Sequence, residues 1–515
     1  MALAKSIMVQ GTGSSVGKSL LATALCRIFT HDGYRVLPFK AQNMSNNSAV
    51  AVDGGELGRA QAEQAAACKA DPSVAMNPIL LKPTTDVGAQ IIVMGRAIGT
   101  MDAAAYHAFK PALRSTIMEA LHTLRQQADI LVIEGAGSPA EINLKADDLA
   151  NMWVAEQADA VVLLVGDIDR GGVFAQLVGT MELLDADERR RVRGFLINKF
   201  RGTRSLLEPG LRWLEERFGL PVVGTVPYLE VVELAEEDAA GHQLSASRAA
   251  SGYLLVDVVH LPRISNFTDF DALKREPDVR LRFLDRPDEG PLPDCMIVPG
   301  TKSTIADLAW LRKRGFESYL RRCVSSGVEL IGVCGGFQML GRQVRDPDHV
   351  EASVDAAEGL GFLPGVTTFQ TNKVVAHVRG VHVESGLPIS GYEIHMGRMA
   401  VEPGASAVLK MTHRGAQSIE ADDGLSSGDG LVWGVHVHGI FDEDRFRAWW
   451  LQRLRRRKHV SARRGDADPV DRPSAADRYD RLADAVRPHL AMEEIYAMLS
   501  LSQREPAVPG SAVVP

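Results

Sequence analysis

Two segments in opposite halves of this sequence combine residue types that could carry out chemistry. The apolar run Ile7–Val9 leads into the glycine-rich loop Gly11–Ser19, which reads GTGSSVGKS. The apolar run Val328–Ile331 leads into GVCGG, in which Cys334 stands among glycines. The first pattern is typical of a loop that binds phosphate, and the second of a sharp strand-to-helix turn that presents a nucleophile. A phosphate site and a reactive thiol in one chain favour a glutamine-dependent amide synthetase, which releases ammonia at one site and uses it at the other.

The predicted ATP-binding loop consists of Gly11, Thr12, Gly13, Ser14, Ser15, Val16, Gly17, Lys18 and Ser19. Backbone N–H groups of such a loop, at the start of a helix, can bind phosphate oxygens. Lys18 would add a positive charge at the β- and γ-phosphates, and the Ser19 hydroxyl would add a ligand for Mg²⁺. The motif departs from the standard one because Thr12 stands where the first glycine is expected, and Gly11 is one residue early.

Two later strand ends support a nucleotide site. The apolar strand that begins at Ile130 ends in Glu134, which we predict to be a carboxylate ligand of Mg²⁺. Asn198 and Lys199 end another strand and resemble the base-recognition element of P-loop proteins, although a plain turn is a serious alternative.

Polar side chains are dense after the second predicted strand, which ends at Lys40. Ligands bind at the carboxyl edge of a parallel sheet, so we predict that Lys40 offsets charge on a transferred γ-phosphoryl group. Either Asp53 or Glu56 could supply a second metal ligand, and the sequence does not choose between them. The predicted substrate contacts in this region are Gln42, Asn43, Ser45, Glu56, Arg59, Asn77 and Lys82.

The thiol segment needs an oxyanion site and a general base. The N–H of Gly335 could stabilise an oxyanion, and the start of the following helix would lower the pKa of the Cys334 thiol. A second oxyanion donor is predicted near Gly300, in the loop PGTKST. The base is predicted in the segment VWGVHVHGIFD, but His436 and His438 lie two residues apart on one face of a strand. Spacing alone therefore does not separate the two histidines.

Apolar strands alternate with helical stretches in both halves of the chain, which predicts an α/β fold with two doubly wound, mostly parallel sheets and a helical carboxyl-terminal tail. The predicted divisions are an ATP-binding domain over 1–235, a linker over 236–252, a second α/β domain over 253–447, a basic, flexible segment with the helical tail over 448–503, and a disordered end over 504–515.

Composition limits the classes of function. A chain of 515 residues is too long for one hydrophobic core, and the net charge of −8 argues against nucleic-acid binding. No apolar stretch reaches the ~18–20 residues of a membrane span. The five cysteines lack metal-type spacing, so a reducing cytoplasm is expected. The oligomeric state is not decided by the sequence, and a homo-oligomer is compatible with it.

The thiol segment GVCGGFQMLG resembles the nucleophile segment of class I glutamine amidotransferases. The segment HGIF, which begins at His438, resembles the catalytic histidine segment of the cobyric acid synthase family, and this favours His438 over His436. Most class I enzymes have a glutamate two residues after the histidine, whereas Ile440 stands there in this chain. The resemblance leaves open which group orients His438.

Further motifs extend the resemblance to cobyric acid synthases over nearly the whole chain. They are PFKAQNMS (38–45), GGELGRAQ (54–61), MNPILLKP (76–83), DIDRGG (167–172), PGTKST (299–304) and GYEIHMG (391–397). The resemblance implies a dethiobiotin-synthetase-like P-loop domain joined to an amidotransferase domain. It also implies ATP with Mg²⁺, L-glutamine as nitrogen donor, and amidation of carboxylates b, d, e and g of adenosylcobyrinic acid a,c-diamide in cobalamin biosynthesis.

Three alternatives are weighed against this reading. Cobyrinic acid a,c-diamide synthase combines the same two chemistries, but the motifs KAQNMS and YEIHMG are not expected there. Partitioning and assembly ATPases resemble the first half of the chain, yet they would leave Cys334 and His438 idle. A glutaminase with a regulatory ATP site would not consume ATP in proportion to amide formation.

Overall fold

The computed structural model describes residues 3–229, 253–402, 405–457 and 475–504. The strands of the first range are β1 (Lys5–Gly11), β2 (Val36–Phe39), β3 (Gln42–Met44), β4 (Ser48–Val50), β5 (Glu56–Gly58), β6 (Ile79–Pro83), β7 (Gly88–Val93), β8 (Arg96–Asp102), β9 (Ile130–Glu134), β10 (Val161–Asp167), β11 (Val192–Phe200) and β12 (Val222–Pro227). Its α-helices are α1 (Lys18–His31), α2 (Arg59–Ala67), α3 (Ala103–Gln127), α4 (Met152–Gln157), α5 (Val173–Leu183), α6 (Ala186–Arg191) and α7 (Arg204–Phe218).

A six-stranded parallel sheet with the order β12-β11-β10-β1-β9-β2 forms the centre of residues 3–229. Both of its faces are covered, because Leu131 and Ile133 of β9 pack into one apolar cluster while Ile130 and Val132 pack into another. Burial on both faces explains why such strands read as continuous apolar runs. All six strands point the same way, so their carboxyl ends meet at one edge. The doubly wound fold predicted for this half is confirmed.

The region between β2 and α3 adds structure that the alternating pattern did not predict. Strands β3, β6, β7 and β8 form a separate four-stranded sheet, and β4 pairs with β5 in an antiparallel hairpin. Helix α2 follows this hairpin directly. The insertion carries most of the predicted substrate contacts.

The strands of the second unit are β13 (Leu254–Val259), β14 (Val279–Leu284), β15 (Cys295–Val298), β16 (Glu329–Val333), β17 (Gln343–Arg345), β18 (Ala356–Glu358), β19 (Gly365–His382), β20 (Pro388–Val401), β21 (Leu409–Arg414), β22 (Gln417–Asp423), β23 (Leu425–Ser426) and β24 (Val432–Val435). Its α-helices are α8 (Asp271–Lys274), α9 (Thr304–Lys313), α10 (Phe316–Ser325), α11 (Gly335–Leu340) and α12 (Asp444–Arg457).

The main sheet of this unit has the order β14-β13-β15-β16-β24-β23, with only the short edge strand β23 antiparallel. A second, mostly antiparallel sheet contains β17 to β22, dominated by the long hairpin of β19 and β20. This second sheet was not predicted, because the prediction rested on apolar strands that alternate with helices, and these strands have no α-helices between them. It matters for the site because β20 passes between the thiol segment and the first unit.

In the carboxyl-terminal region one predicted boundary differs from the structure, whereas the predicted helical tail is confirmed. Helix α12 runs past the boundary set at residue 447, because Trp450, Leu451 and Leu454 are buried in the core of the second unit. The tail is two helices, α13 (Ala475–Val486) and α14 (Met492–Met498), separated near Pro488, which disfavours a continuous helix. They pack against the first unit, as expected for a tail that folds back. The predicted linker over 236–252 and the end over 505–515 lie outside the described residues.

Among the helices of the described ranges, none is long and apolar enough to cross a lipid bilayer.

Candidate active site

The predicted phosphate loop connects β1 directly to α1. Ser15 and Gly17 have φ values of +57° and +100°, and alternating left-handed residues of this kind direct backbone N–H groups into a concavity that suits anions. A Cβ at Gly17 would lie 2.0 Å from Nδ2 of Asn198, so only glycine fits. Asn198 Nδ2 donates to the carbonyl oxygen of Val16 at 2.9 Å. A Cβ at Gly13 would meet no atom within 4 Å, which leaves the approach to the loop open for phosphate.

Two lysines hold the shape of this loop. Lys18 Nζ donates to the carbonyl oxygens of Gly13 at 2.7 Å and Gly137 at 3.0 Å. Lys199 Nζ donates to the carbonyl oxygen of Ser15 at 2.6 Å. Lys199 therefore contacts the phosphate loop in addition to ending a strand. This contact distinguishes the segment from a plain turn.

Glu134 is the centre of a buried polar cluster beside the loop. Its carboxylate is 0% exposed and accepts hydrogen bonds from Ser19 Oγ at 2.8 Å, Lys40 Nζ at 2.8 Å and Gln64 Nε2 at 2.5 Å. Burial disfavours the ionised form, but the charge of Lys40 and these hydrogen bonds outweigh it and hold the pKa of Glu134 below its ordinary value. An ionised Glu134 next to a serine hydroxyl offers the oxygen ligands that Mg²⁺ prefers.

The two carboxylates considered as a second metal ligand are engaged elsewhere. Glu56 pairs with Lys82 at 2.7 Å and with Lys373 at 2.5 Å, and Asp53 accepts from the N–H of Val74 at 3.3 Å. Over the ranges that the structure describes, no cluster of three His, Cys, Asp or Glu side chains is arranged to hold a metal. A magnesium ion here would depend on nucleotide phosphates for its remaining ligands, as is usual for this ion.

The remaining predicted substrate contacts divide into two groups. Four of them bond to neighbours in their own domain: Gln42 to Tyr106, Asn43 to Gln61, Ser45 to Asn47 and Asn77 to the N–H of Gly58. The other three, Glu56, Arg59 and Lys82, lie where the two units meet. Glu56 and Lys82 form a buried cluster with Lys373 of β19, and Arg59 contacts Tyr392 of β20.

Cys334 occupies a strained turn between β16 and α11. Its φ of +49° and ψ of −110° are unfavourable for a residue with a side chain, and such strain is typical of nucleophile turns. The flanking glycines are required by close packing, since a Cβ at Gly336 would lie 1.9 Å from the carbonyl oxygen of Val298. Cys334 is only 5% exposed, and its Sγ lies 3.7 Å from the carbonyl oxygen of Ile394.

The structure brings His438 to the thiol and supplies the group that orients it. Nδ1 of His438 lies 2.6 Å from Oδ2 of Asp269, and the N–H of Gly439 donates to Oδ1 of the same carboxylate at 3.1 Å. This arrangement leaves Nε2 as the ring nitrogen that can serve Cys334, and the two side chains perturb the pKa of one another. Asp269 lies in the 3₁₀ helix Phe267–Phe270 and is the carboxylate in contact with the ring of His438.

The charges of this triad favour a thiolate. Burial lowers the pKa of His438, but Asp269 and Cys334 together raise it to about 10. Burial raises the pKa of the Cys334 thiol, yet His438, His436 and the N–H of Gly335 outweigh it and bring that pKa below its ordinary value. The site therefore stabilises a thiolate beside an imidazolium, the state in which cysteine is a nucleophile.

His436 lies close by but has other partners. Its backbone N–H and its Nδ1 both bond to Asp423, at 3.0 and 2.7 Å, and its ring stacks on His395 with a centroid distance of 4.4 Å. Within the described residues its Nε2 has no hydrogen-bond partner. His436, His395 and Glu393 line a cavity of about 450 Å³. The geometry thus separates two histidines that spacing could not, and it favours His438 as the base.

The two predicted oxyanion donors flank the thiol. The N–H of Gly335 helps to lower the pKa of the Cys334 thiol. A Cβ at Gly300 would lie 2.9 Å from Cε1 of His438, so the loop that contains Gly300 packs against the catalytic pair. A Cβ at Gly335 would also approach Thr301 of that loop, with Cγ2 at 2.8 Å.

A small cavity of about 40 Å³ adjoins Cys334 and is lined by both units. Lys82 comes from the first unit, and Gln338 and Lys373 come from the second. A water molecule needs about 10–15 Å³ of such volume, so the cavity admits a molecule the size of ammonia.

Sequence reasoning did not identify Asp269 or the contact between Arg59 and Tyr392. Asp269 is 169 residues from His438, and a lone acid in the segment NFTD carries no motif of its own. One signal was present: this segment follows β13, so it lies at the same carboxyl edge of the parallel sheet as the Cys334 turn.

Comparison with known proteins agrees with this organisation. Residues 7–240 match the family described as the CobQ/CobB/MinD/ParA nucleotide binding domain, and residues 255–446 match the CobB/CobQ-like glutamine amidotransferase domain. The cobyric acid synthase of Pelotomaculum thermopropionicum is 49% identical over 97% of both chains. Those of Moorella thermoacetica and Sorangium cellulosum are each 48% identical, over 97% of this chain and 98% and 100% of theirs. This chain belongs to the cobyric acid synthase family.

Proposed function

We propose that this chain is an ATP-dependent amide ligase that uses glutamine and forms cobyric acid. Its substrate is adenosylcobyrinic acid a,c-diamide, whose carboxylates b, d, e and g become amides in cobalamin biosynthesis. The observation that carries the proposal is the activated thiol of Cys334, which adjoins a cavity shared with a P-loop domain. An ammonia source beside a nucleotide-binding domain is what an amide ligase requires. An ATPase that acts only as a switch would have no use for the thiol.

In the glutaminase half, the Cys334 thiolate attacks the side-chain amide carbon of L-glutamine. The N–H of Gly335, with the loop at Gly300, stabilises the oxyanion. His438 carries the thiol proton to the leaving ammonia, and Asp269 keeps its ring oriented. Water then attacks the γ-glutamyl thioester, releases glutamate and regenerates the thiol.

In the ligase half, the loop 11–19 binds the triphosphate of ATP, and Asn198 and Lys199, which contact this loop, recognise the base. A corrinoid carboxylate accepts the γ-phosphoryl group while Lys18 and Lys40 offset the developing charge. Ser19 and Glu134 would hold Mg²⁺, which neutralises phosphate charge when bound.

Ammonia then displaces phosphate from the activated carboxylate and forms the amide. The cavity at Cys334 gives ammonia a protected start toward the first unit. We place the reaction in the cytoplasm, because the five cysteines form no disulfide.

Mass spectrometry of the corrinoid product tests this assignment. Wild-type protein with ATP, Mg²⁺ and glutamine should convert adenosylcobyrinic acid a,c-diamide through successive mass changes for four amides. Cobyrinic acid offered in parallel should show no amidation at carboxylates a and c. Amidation confined to a and c would assign the chain to diamide synthesis instead, and absence of any amidation would contradict the ligase proposal.

A further inference from the structure

The catalytic histidine is supported by a tyrosine of the neighbouring strand. The ring of Tyr392 stacks on the ring of His438, with centroids 5.2 Å apart and planes 16° apart. The backbones of the two residues exchange hydrogen bonds, and the Tyr392 hydroxyl lies 3.3 Å from Oδ1 of Asp269. Tyr392 therefore touches both His438 and the carboxylate that orients it.

Tyr392 is in turn held by an arginine of the other unit. Arg59 Nη2 donates to the Tyr392 hydroxyl at 2.5 Å, and its guanidinium carbon lies 5.0 Å from the ring centroid. The hydroxyl can accept from Arg59 while it donates to Asp269, so the guanidinium fixes the direction of that donor. Arg59 thereby acts on the triad without touching the reacting atoms.

Hydrogen bonds between the two units hold these groups in position. The backbone N–H of Ser48 donates to Oδ1 of Asn266 at 2.9 Å, and the N–H of Phe267 donates to Oδ1 of Asn47 at 3.2 Å. These bonds anchor the segment that carries Asp269 to the first unit. The placement of the triad thus depends on contacts across the interface.

Helix α2 also connects Arg59 to the nucleotide site. Arg59 is its first residue, and Gln64, little more than one turn later, donates to Glu134. On its other side Glu63 accepts hydrogen bonds from Arg478 and Tyr479 of α13. A nine-residue helix fixed at these points holds Arg59 at a defined distance from Glu134.

We propose that Arg59 is a positioning residue of the glutaminase, supplied by the ATP-binding unit and acting through Tyr392 on Asp269 and His438. This role replaces the corrinoid contact that the sequence predicted for Arg59. The inference rests on the proposed function only in that Cys334 is the glutaminase nucleophile.

Alkylation of Cys334 by iodoacetamide tests the proposal without any corrinoid. The full-length protein would be treated over a range of pH, and modification at Cys334 followed by peptide mass spectrometry. In Arg59→Met the midpoint of the pH profile of Cys334 alkylation should move to higher pH, because a less well oriented His438 ring stabilises the thiolate less. Arg59→Lys should recover part of the shift. Arg35→Met, which removes an exposed ion pair with Asp129, is the matched control and should keep the wild-type profile.

A double-substitution cycle then asks whether Arg59 acts through Tyr392. Arg59→Met and Tyr392→Phe should each lower kcat for glutamine use about tenfold, with little change in KM. The kcat of the double variant should be no lower than that of the less active single variant. An unchanged alkylation profile in Arg59→Met, or multiplied losses in the double variant, would overturn the proposal. A raised KM for the corrinoid with both glutamine and ammonium would also overturn it and return Arg59 to substrate binding. A failed corrinoid assignment leaves the alkylation result unaffected, so the two failures are distinguishable.

Discussion

Replacing Asp269 with asparagine should disable the use of glutamine and spare the use of ammonium. The side chain keeps its size, so the hydrogen bond from the N–H of Gly439 can persist, but the negative charge beside His438 is lost. The amide can also present N–H to Nδ1 of the ring, and it then no longer selects the form of the imidazole in which Nε2 serves the thiol.

The size of the effect follows from the charges at the site. Burial lowers the pKa of His438, and Asp269 with Cys334 raises it from 6.5 to about 10. This difference corresponds to about 5 kcal/mol at ~1.36 kcal/mol for each tenfold change. The His438 side chain is 1% exposed, so solvent screening takes little away. Loss of about half of this stabilisation, or about 2–3 kcal/mol, predicts a fall of about 30- to 160-fold in kcat for glutamine hydrolysis.

The assay compares amidation rates with glutamine and with ammonium as nitrogen source, together with glutamate release. A weaker imidazolium raises the pKa of the Cys334 thiol, so the rising limb of the pH profile of glutamine hydrolysis should move to higher pH. Asp423→Asn is the matched control, because Asp423 bonds to Nδ1 of His436 at 2.7 Å. A larger loss in Asp423→Asn than in Asp269→Asn, or wild-type glutamine use in Asp269→Asn, would refute this reasoning.

Three further substitutions test other parts of the structure. Glu134→Gln should reduce amidation at least ~100-fold with either nitrogen source, because the metal loses its charged ligand. The same substitution should leave the alkylation of Cys334 unchanged. A defect confined to the reaction with glutamine would contradict this prediction. Gly17→Ala should raise the KM for ATP, since its Cβ would lie 2.0 Å from Asn198 Nδ2; an unaltered KM would show that the loop relaxes freely. Gly336→Ala should lower the thermal midpoint by several degrees, because its Cβ would lie 1.9 Å from the Val298 carbonyl oxygen, and calorimetry showing no change would contradict that packing.

The features that could be predicted from the sequence are those with local requirements. A phosphate loop needs a strand, glycines and a helix in immediate succession, and residues 7–31 contain all three. The turn at Cys334 is likewise specified by its two flanking glycines, because backbone crowding excludes any other residue. Glu134 and Lys40 could each be predicted at the end of a strand, and the structure shows that these two strands are parallel neighbours.

The features that escaped prediction depend on distant partners. The pairing of Asp269 with His438 and of Arg59 with Tyr392 joins segments that share no local pattern. Spacing did not separate His436 from His438, and only the resemblance of the segment HGIF favoured His438; in the structure Asp269 contacts His438 and Asp423 contacts His436. The antiparallel sheet of β19 and β20 was missed because its register depends on pairing between strands, which period-two alternation does not specify.

Replacement of the thiol gives the most direct test of the claim that two separate chemistries are joined by ammonia. Cys334→Ala and wild type would be compared for amidation of adenosylcobyrinic acid a,c-diamide with ATP and Mg²⁺, with either glutamine or ammonium as the nitrogen source. Wild type should use both sources, whereas Cys334→Ala should use ammonium at a comparable rate and glutamine not at all. Amidation by Cys334→Ala with glutamine, or loss of the ammonium reaction in a variant that remains folded, would contradict it.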